Sequence, residues 1–416
     1  MKNILDTASP RLKGADLSSL LEVEAHGGVF SDEASGILRD SCEFRHQASG
    51  DAPKAFPLGG RCPSAHTGAD EGASRQEDAL VILQRHGCNL IRLRLWNDPY
   101  SKDGEPYGAG TNDLPRTMEL ARRCKALGLP WLLDFHYSDF WADPGKQFPP
   151  KAWSSLDADG LAQAVYYYTR DTLETLKAQE LLPAMVAVGN EISNGLLWPL
   201  GRVPNWSNIA RFVSAGIRAA READPGIKTM IHLDNGGWHG LYRSWFDSYF
   251  INGGARFDCI GLSYYPFWHG SLEALRDNMH RLAQTMGKPM IVTETSMAFT
   301  LAECHEREGL SRAEKRGLAA NEKTAAGVPY PATPEGQSAF LRELWAVIRS
   351  VPNGLGRGLV WWEPAWLPVP GSGWTTPAGL AYVHEQGPGG NEWANQGLFD
   401  YDGRALPALT TLEELE

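Results

Sequence analysis

The sequence predicts an α/β fold of the (β/α)8 type, a single barrel of eight parallel strands. Three observations predict it. Short apolar, β-branched runs alternate with segments of helical spacing along most of the chain, which implies parallel strands. Eight such runs can be counted, the number that closes a barrel. Polar and aromatic residues also gather at the C-terminal ends of the runs, where barrel enzymes carry their active face. These are Asp16, Arg92 and Arg94, His136, Asn190 and Glu191, Asp234, Tyr264 and Tyr265, Glu294, Trp362 and Glu363. A doubly wound open sheet competes, but no Gly-rich phosphate fingerprint follows any early strand.

In chain order, Lys13 to Leu20 reads as the first strand, with Asp16 and Ser18 at its end. Residues 35–75, rich in Gly, Pro, Ser and Ala, read as a long surface insertion. Arg75 to Gly87 has helical spacing, and Gly87 stops it. Strands then fall at Asn89–Leu95, Leu129–His136, Val186–Glu191, Lys228–Asp234, Phe257–Tyr265, Pro289–Ser296 and Arg357–Glu363. Helices between them are expected at Leu114–Leu127, Leu161–Leu182, Ile209–Ala223, Trp238–Phe250 and Leu272–Met286. After the seventh strand a long loop covers about 297–332. Thr333-Pro334-Glu335 then caps a helix running to Ser350, with Pro at its first position. All 416 residues are expected to form one catalytic domain.

Composition narrows the function. A net charge of −11 argues against nucleic acid or an anionic membrane as partner. No run of 18 apolar residues occurs, so no transmembrane helix is expected. Fifteen tryptophans favour a sugar ligand, because flat indole faces match the C–H faces of pyranose rings. Six scattered cysteines show no metal spacing. A Cys42–Cys62 bridge is conceivable, but free buried thiols are the better reading in a chain this long. No cofactor is expected, nor a second chain: a monomer.

The strongest chemical signal is a pair of similar strands, Val186-Ala-Val-Gly-Asn-Glu-Ile-Ser193 and Pro289-Met-Ile-Val-Thr-Glu-Thr-Ser296, each ending in a glutamate. Glycosidic hydrolysis needs one carboxylic acid to protonate the leaving oxygen and one carboxylate on the other side of the anomeric carbon. Strands four and seven lie three positions apart around an eight-stranded ring, so Glu191 and Glu294 should face each other across its mouth. A nucleophile must stay ionised, which a nearby Arg favours, whereas the acid needs its pKa raised. Arg92 or Arg94 can supply that cation; they share a face, and spacing does not separate them.

These residues resemble glycoside hydrolase family 53, the arabinogalactan endo-β-1,4-galactanases. The resemblance runs through nearly the whole chain. It covers Gly14–Ser19, Ile91–Pro99, Asp134–Pro144, Val188–Glu191, Ser263–Gly270, Thr293–Thr295, Trp362–Trp366 and Asn395–Gly403. It implies endo-hydrolysis of β-1,4-galactan by a retaining mechanism, with Glu191 as acid/base and Glu294 as nucleophile. It further implies that Asn190 meets the sugar's 2-hydroxyl, His136 contacts the cleaved residue, and Arg92 sits beside the nucleophile. One of Tyr264 or Tyr265 would position that nucleophile, and Trp362 would floor the cleaved subsite. Trp141, Trp366 and Trp393 are candidate sugar platforms, and Asp134 is expected to brace a barrel neighbour.

Two departures from the family pattern stand out. The 35–75 insertion is longer than usual. The loop Ala302–Leu310 lacks the Asp- and Gly-rich turn with which bacterial relatives hold calcium, and Glu303 and Glu306 read as a solvated face, so no calcium requirement is expected. The substrate points to a secreted or periplasmic protein, whereas the first ten residues carry no apolar signal core, which keeps a cytoplasmic protein as the alternative expectation. Competing readings are a related retaining glycosidase acting on another β-linked glycan, an inactive sugar-binding barrel, or a metal hydrolase using His136, His232 and Asp234.

Overall fold

The computed structural model describes residues 3–32 and 76–416, so the 35–75 segment and the Cys42–Cys62 pair lie outside the described residues. Eight strands close a barrel with every neighbouring pair parallel. They are β1 (Leu12–Asp16), β2 (Leu90–Leu95), β3 (Trp131–Phe135), β4 (Met185–Val188), β5 (Lys228–Leu233), β6 (Cys259–Ser263), β7 (Met290–Thr295) and β8 (Gly356–Trp361). The intervening helices fall where the apolar spacing places them, and their starts have local causes. Asp113, Asp157, Ser271 and Thr333 each accept a backbone N–H in the first turn. Pro at the first turn suits the helices after Asp113 and Thr333, where its missing N–H costs nothing.

Sequence reading missed several small elements. A six-residue helix, Leu20–Ala25, follows β1 directly. A two-residue antiparallel pair joins Phe30–Ser31 to Gln76–Glu77, and helices Pro377–Val383 and Pro407–Glu414 close the chain. All are too short to show a hydrophobic period.

The core has three parts, and the strand period of two sorts residues among them. Leu12, Leu90, Leu132, Met185, Met230, Cys259, Ile291 and Val360, one from each strand, plug the lower lumen. Their odd-numbered or even-numbered neighbours, such as Ile91, Leu93 and Leu95 on β2, point outward and pack under the helices. A third, aromatic cluster of Trp96, Tyr107, Phe140, Trp141, Tyr265, Trp362 and Trp366 lies at the mouth. Cys88, Cys124, Cys259 and Cys304 are free and buried.

Candidate active site

Above the apolar plug the inward positions turn charged. On β2 the inward series is Leu90, Arg92, Arg94, and on β3 it is Leu132, Asp134, His136, so each strand climbs from plug to mouth in steps of two. Asp16, Arg92 and Asp134 are wholly buried. Arg92 donates from Nη1 to Asp16 Oδ2 at 2.8 Å and from Nη2 to Asp134 Oδ2 at 2.7 Å and Asn190 Oδ1 at 2.8 Å. The same Nη2 lies 2.7 Å from Glu294 Oε1. A buried guanidinium is tolerable only with such acceptors on both of its terminal nitrogens. Arg94 shares Asp16, donating from Nη1 to Oδ1 at 3.1 Å, but its other partners differ: the same Nη1 meets Glu363 Oε1 at 2.6 Å, and its Cζ sits 4.6 Å from the ring centre of Trp141 and 5.4 Å from that of Trp362. Structure therefore separates the two arginines, and Arg92 is the one beside Glu294.

Glu294 owes its aim to a break in the ladder. β7 carries one more residue between Val292 and Thr295 than either neighbour: Leu262 and Ser263 of β6 oppose Val292 and Glu294, and Leu359 and Trp361 of β8 oppose Val292 and Thr295. Such a bulge re-aims a side chain. Glu294 Oε2 accepts the Tyr265 hydroxyl at 3.0 Å. Burial raises the Glu294 pKa, with the charges of Asp134 and Asp16 pushing the same way, while the Arg92 guanidinium and the Tyr265 phenol pull against that rise.

Asn190 and Glu191 both reach the mouth although they are adjacent, which a regular strand forbids. Gly189 at φ 89° and Glu191 at φ 47° turn the backbone through left-handed conformations just past β4. Such a φ on Glu costs on the order of 1–3 kcal/mol and is held only by its surroundings. Asn190 Oδ1 is taken by Arg92 and its Nδ2 donates to Ala142 O at 2.8 Å, leaving one amide N–H for the cleft. Burial holds the Glu191 pKa well above the usual carboxylate range, and the charges of Glu294 and Asp234 push the same way.

These groups line a cleft of about 230 Å3 together with Arg94, His136, Trp141, Asp234, Trp268, Trp362, Trp374 and Trp393. Trp141 and Trp374 stack at 4.3 Å and 11°, and the Trp374 carbonyl accepts the Trp141 indole N–H at 3.1 Å. Trp362 stands edge-on to Trp393 at 4.6 Å. A larger groove of about 820 Å3 runs between the helices His239–Ile251 and Leu272–Met286, but it carries a single carboxylate, Asp247. Volume alone does not locate the chemistry here.

Three expected site residues do not line the cleft, and the first, Arg92, is wholly buried beneath it. Tyr264 faces away from the lumen, donating to Gly270 O at 2.8 Å and stacking on Phe340. The period of two explains it, since Cys259, Gly261, Ser263 and Tyr265 share the inward side. Trp366 is buried behind Trp362, stacked on it at 5.9 Å, with its N–H on Asn391. It supports a cleft wall without lining it. His136 does line the cleft, but its Nδ1 accepts from Trp96 Nε1 at 3.2 Å and Ala142 N at 3.1 Å, while Nε2 lies 3.2 Å from Asp134 Oδ2. Nδ1 is engaged within the protein, Nε2 is buried beside Asp134 without a hydrogen bond, and burial lowers the imidazole pKa. His136 thus offers the cleft a ring edge. Asp134 braces Arg92 and His136 together.

Trp268 and Trp374 were not singled out from sequence. Trp374 sits in the turn-rich run Gly371-Ser-Gly-Trp-Thr-Thr-Pro377, which marks a loop but not its position over the mouth. Among the described residues, no three His, Cys, Asp or Glu side chains converge as a metal site. His232 Nε2 is spent on Ser263 Oγ at 2.8 Å.

A parallel eight-stranded barrel with a buried carboxyl pair inside a tryptophan-walled cleft at its C-terminal mouth defines a glycoside hydrolase. The family profile described as glycosyl hydrolase family 53 matches residues 12–412. A Niallia circulans protein described only as an uncharacterized protein in the bgaB 5′ region is 39% identical over 408 residues, 96% of this chain and 93% of its own. The endo-beta-1,4-galactanase of Bacillus subtilis (strain 168) is 34% identical over 360 residues, covering 82% of this chain and 80% of the relative. Among solved structures, the family 53 catalytic domain of Ignisphaera aggregans superposes with a TM-score of 0.80 at 34% identity, over 97% of this chain and 96% of that one. The chain belongs to glycosyl hydrolase family 53.

Proposed function

We propose that the protein cleaves internal β-1,4-D-galactosidic bonds of galactan or arabinogalactan by a retaining double displacement. The unequal surroundings of the two glutamates carry this reading. Glu294 has a guanidinium and a phenol on its oxygens, which favours the anion. Glu191 is buried beside two other carboxyls, which favours the acid.

In the first step Glu294 attacks the anomeric carbon, and the bond to the leaving oxygen breaks as Glu191 gives that oxygen its proton. A covalent glycosyl–enzyme and a shortened chain result. In the second step Glu191, now a base, takes a proton from water. The resulting hydroxide equivalent displaces Glu294 from the same carbon, restoring both carboxyls. Asn190 binds the 2-hydroxyl through its remaining N–H in this reading, an interaction that strengthens as positive charge develops. Galactan as the substrate is supported by the name of the Bacillus subtilis relative.

Digestion of linear β-1,4-galactan, with the newly formed reducing end followed by proton NMR, tests both halves. The β-anomer should appear first and mutarotate later. Initial α-anomer would overturn retention, and cleavage of another β-linked glycan with galactan untouched would overturn the substrate.

A further inference from the structure

Most of the molecule's aromatic residues are packed away, yet two tryptophans beside the cleft are open. Trp268 is 38% exposed and Trp238 is 54% exposed. Trp268 lines the cleft, its ring 5.6 Å from Tyr265 and 5.9 Å from Trp393. Trp238 lies four residues beyond the cleft residue Asp234, and a Cβ at Gly270 would sit 4.0 Å from its Nε1. It therefore edges the loop that carries Trp268.

That arrangement is built rigidly. Gly236 donates to Ser263 O at 2.9 Å, and Asn278 donates to Gly236 O at 2.7 Å. A side chain at Gly237 would come within 2.2 Å of His269 O, so the two loops are in backbone contact. An exposed indole on a loop whose backbone is held costs less ordering on binding than one on a free loop, as suits a sugar platform. Its side of the cleft also has a meaning. The acid must reach the leaving oxygen, so the departing part of the chain lies on the flank of Glu191. Around the ring from Glu191 come Asp234, Trp238 and then Trp268.

We infer that Trp238, at the edge of the loop that carries Trp268, is a platform for galactosyl units on the leaving side of the cleaved bond, beyond the first. This rests on the galactanase reading of the cleft. The platform makes the enzyme favour long chains over short ones without touching the reacting atoms.

The test compares kcat/KM on linear β-1,4-galactan with that on a 4-nitrophenyl β-1,4-galactobioside, which has no sugar on the leaving side. Trp238→Ala should lower the ratio of the two values roughly three- to tenfold, the size of one lost aromatic contact, and Trp238→Phe should restore most of it. An unchanged ratio, or a ratio that Trp238→Phe lowers as far as Ala does, would overturn the platform while leaving the galactanase reading intact. Wild-type enzyme inert on both substrates would instead overturn the galactanase reading and the platform with it.

Discussion

Tyr264 and Tyr265 are adjacent, and only their direction separates them, so replacing each hydroxyl in turn is a sharp test of the site. In Tyr265→Phe, Glu294 loses the donor at 3.0 Å and keeps Arg92 at 2.7 Å. The phenol is a true donor throughout any practical pH range, because burial and the Glu294 charge raise its own pKa well above the usual value. A hydrogen bond to a charged group is worth about 1.5–3 kcal/mol, and about 1.4 kcal/mol corresponds to one pKa unit. The bond favours the ionised carboxyl, so its loss raises the Glu294 pKa by up to about 1–2 units. A nucleophile works only when ionised. The acid limb of the kcat/KM profile should therefore move to higher pH by that amount, with a loss of about 10- to 100-fold below it. Tyr264→Phe removes a bond to Gly270 O on the outer side. It should cost about 1 kcal/mol of stability, read as a lower urea midpoint, and leave the limb in place. An acid limb that Tyr265→Phe does not move, or that Tyr264→Phe does, would refute the assignment of Tyr265 to Glu294.

The alkaline limb should report Glu191: as an acid it is active below its raised pKa and silent above it, so kcat/KM should fall at a pH well above the usual carboxylate range, and Glu191→Gln should abolish that limb along with most turnover on galactan. Glu294→Gln should eliminate turnover while retaining galacto-oligosaccharide binding by calorimetry; residual wild-type-like rates would point to a different nucleophile. Asp134→Asn leaves the wholly buried Arg92 short of an anionic partner and should destabilise the fold by about 3–5 kcal/mol, seen as an earlier urea midpoint. Activity should persist in EDTA; a loss reversed by added calcium would contradict the reading of the 302–310 loop.

The barrel was legible because its evidence is periodic and long. Eight apolar runs, helix stops at Gly87, Gly128 and Gly287, and the capped Thr333-Pro334 start each reflect local physics that the fold does not override. The carboxyl pair was legible for a related reason, since two strands of the same design end in the same residue. Direction around the lumen was partly legible: the period of two, counted from the buried Cys259, assigns Tyr265 inward, whereas a choice of either tyrosine ignores it. Arg92 and Arg94 share a side, and what divides them is depth, set by which acidic partners the neighbouring strands deliver at each level. That information sits on β1, β3 and β8 at once. The cleft walls were least legible, because Trp268 and Trp374 come from loops whose paths no period describes.

The places where the alternation rule fails are also where the chemistry gathers. A strict strand presents one residue in two to the lumen, yet the mouth holds Asn190 next to Glu191 and Trp362 next to Glu363. The backbone reconciles these by leaving the strand conformation. Glu191 and Glu363 both adopt φ 47°, and Tyr137 and Asn235 adopt φ 50° and 53° past β3 and β5. Glu363 shows what holds such a turn in place: its carboxylate accepts Ser19 N at 3.1 Å, Ser19 Oγ at 2.5 Å and Arg94 at 2.6 Å, which fastens β8 to β1 and β2. Burial nevertheless raises its pKa to about 7, against the pull of Arg94. β7 uses the other device, an inserted residue that swings Glu294 onto Arg92. Left-handed turns at four strand ends and a bulge at a fifth would be costly defects in a barrel selected for stability alone. Here they give adjacent residues the same address and bring Glu191 and Glu294, each with its own partners, to one cleft.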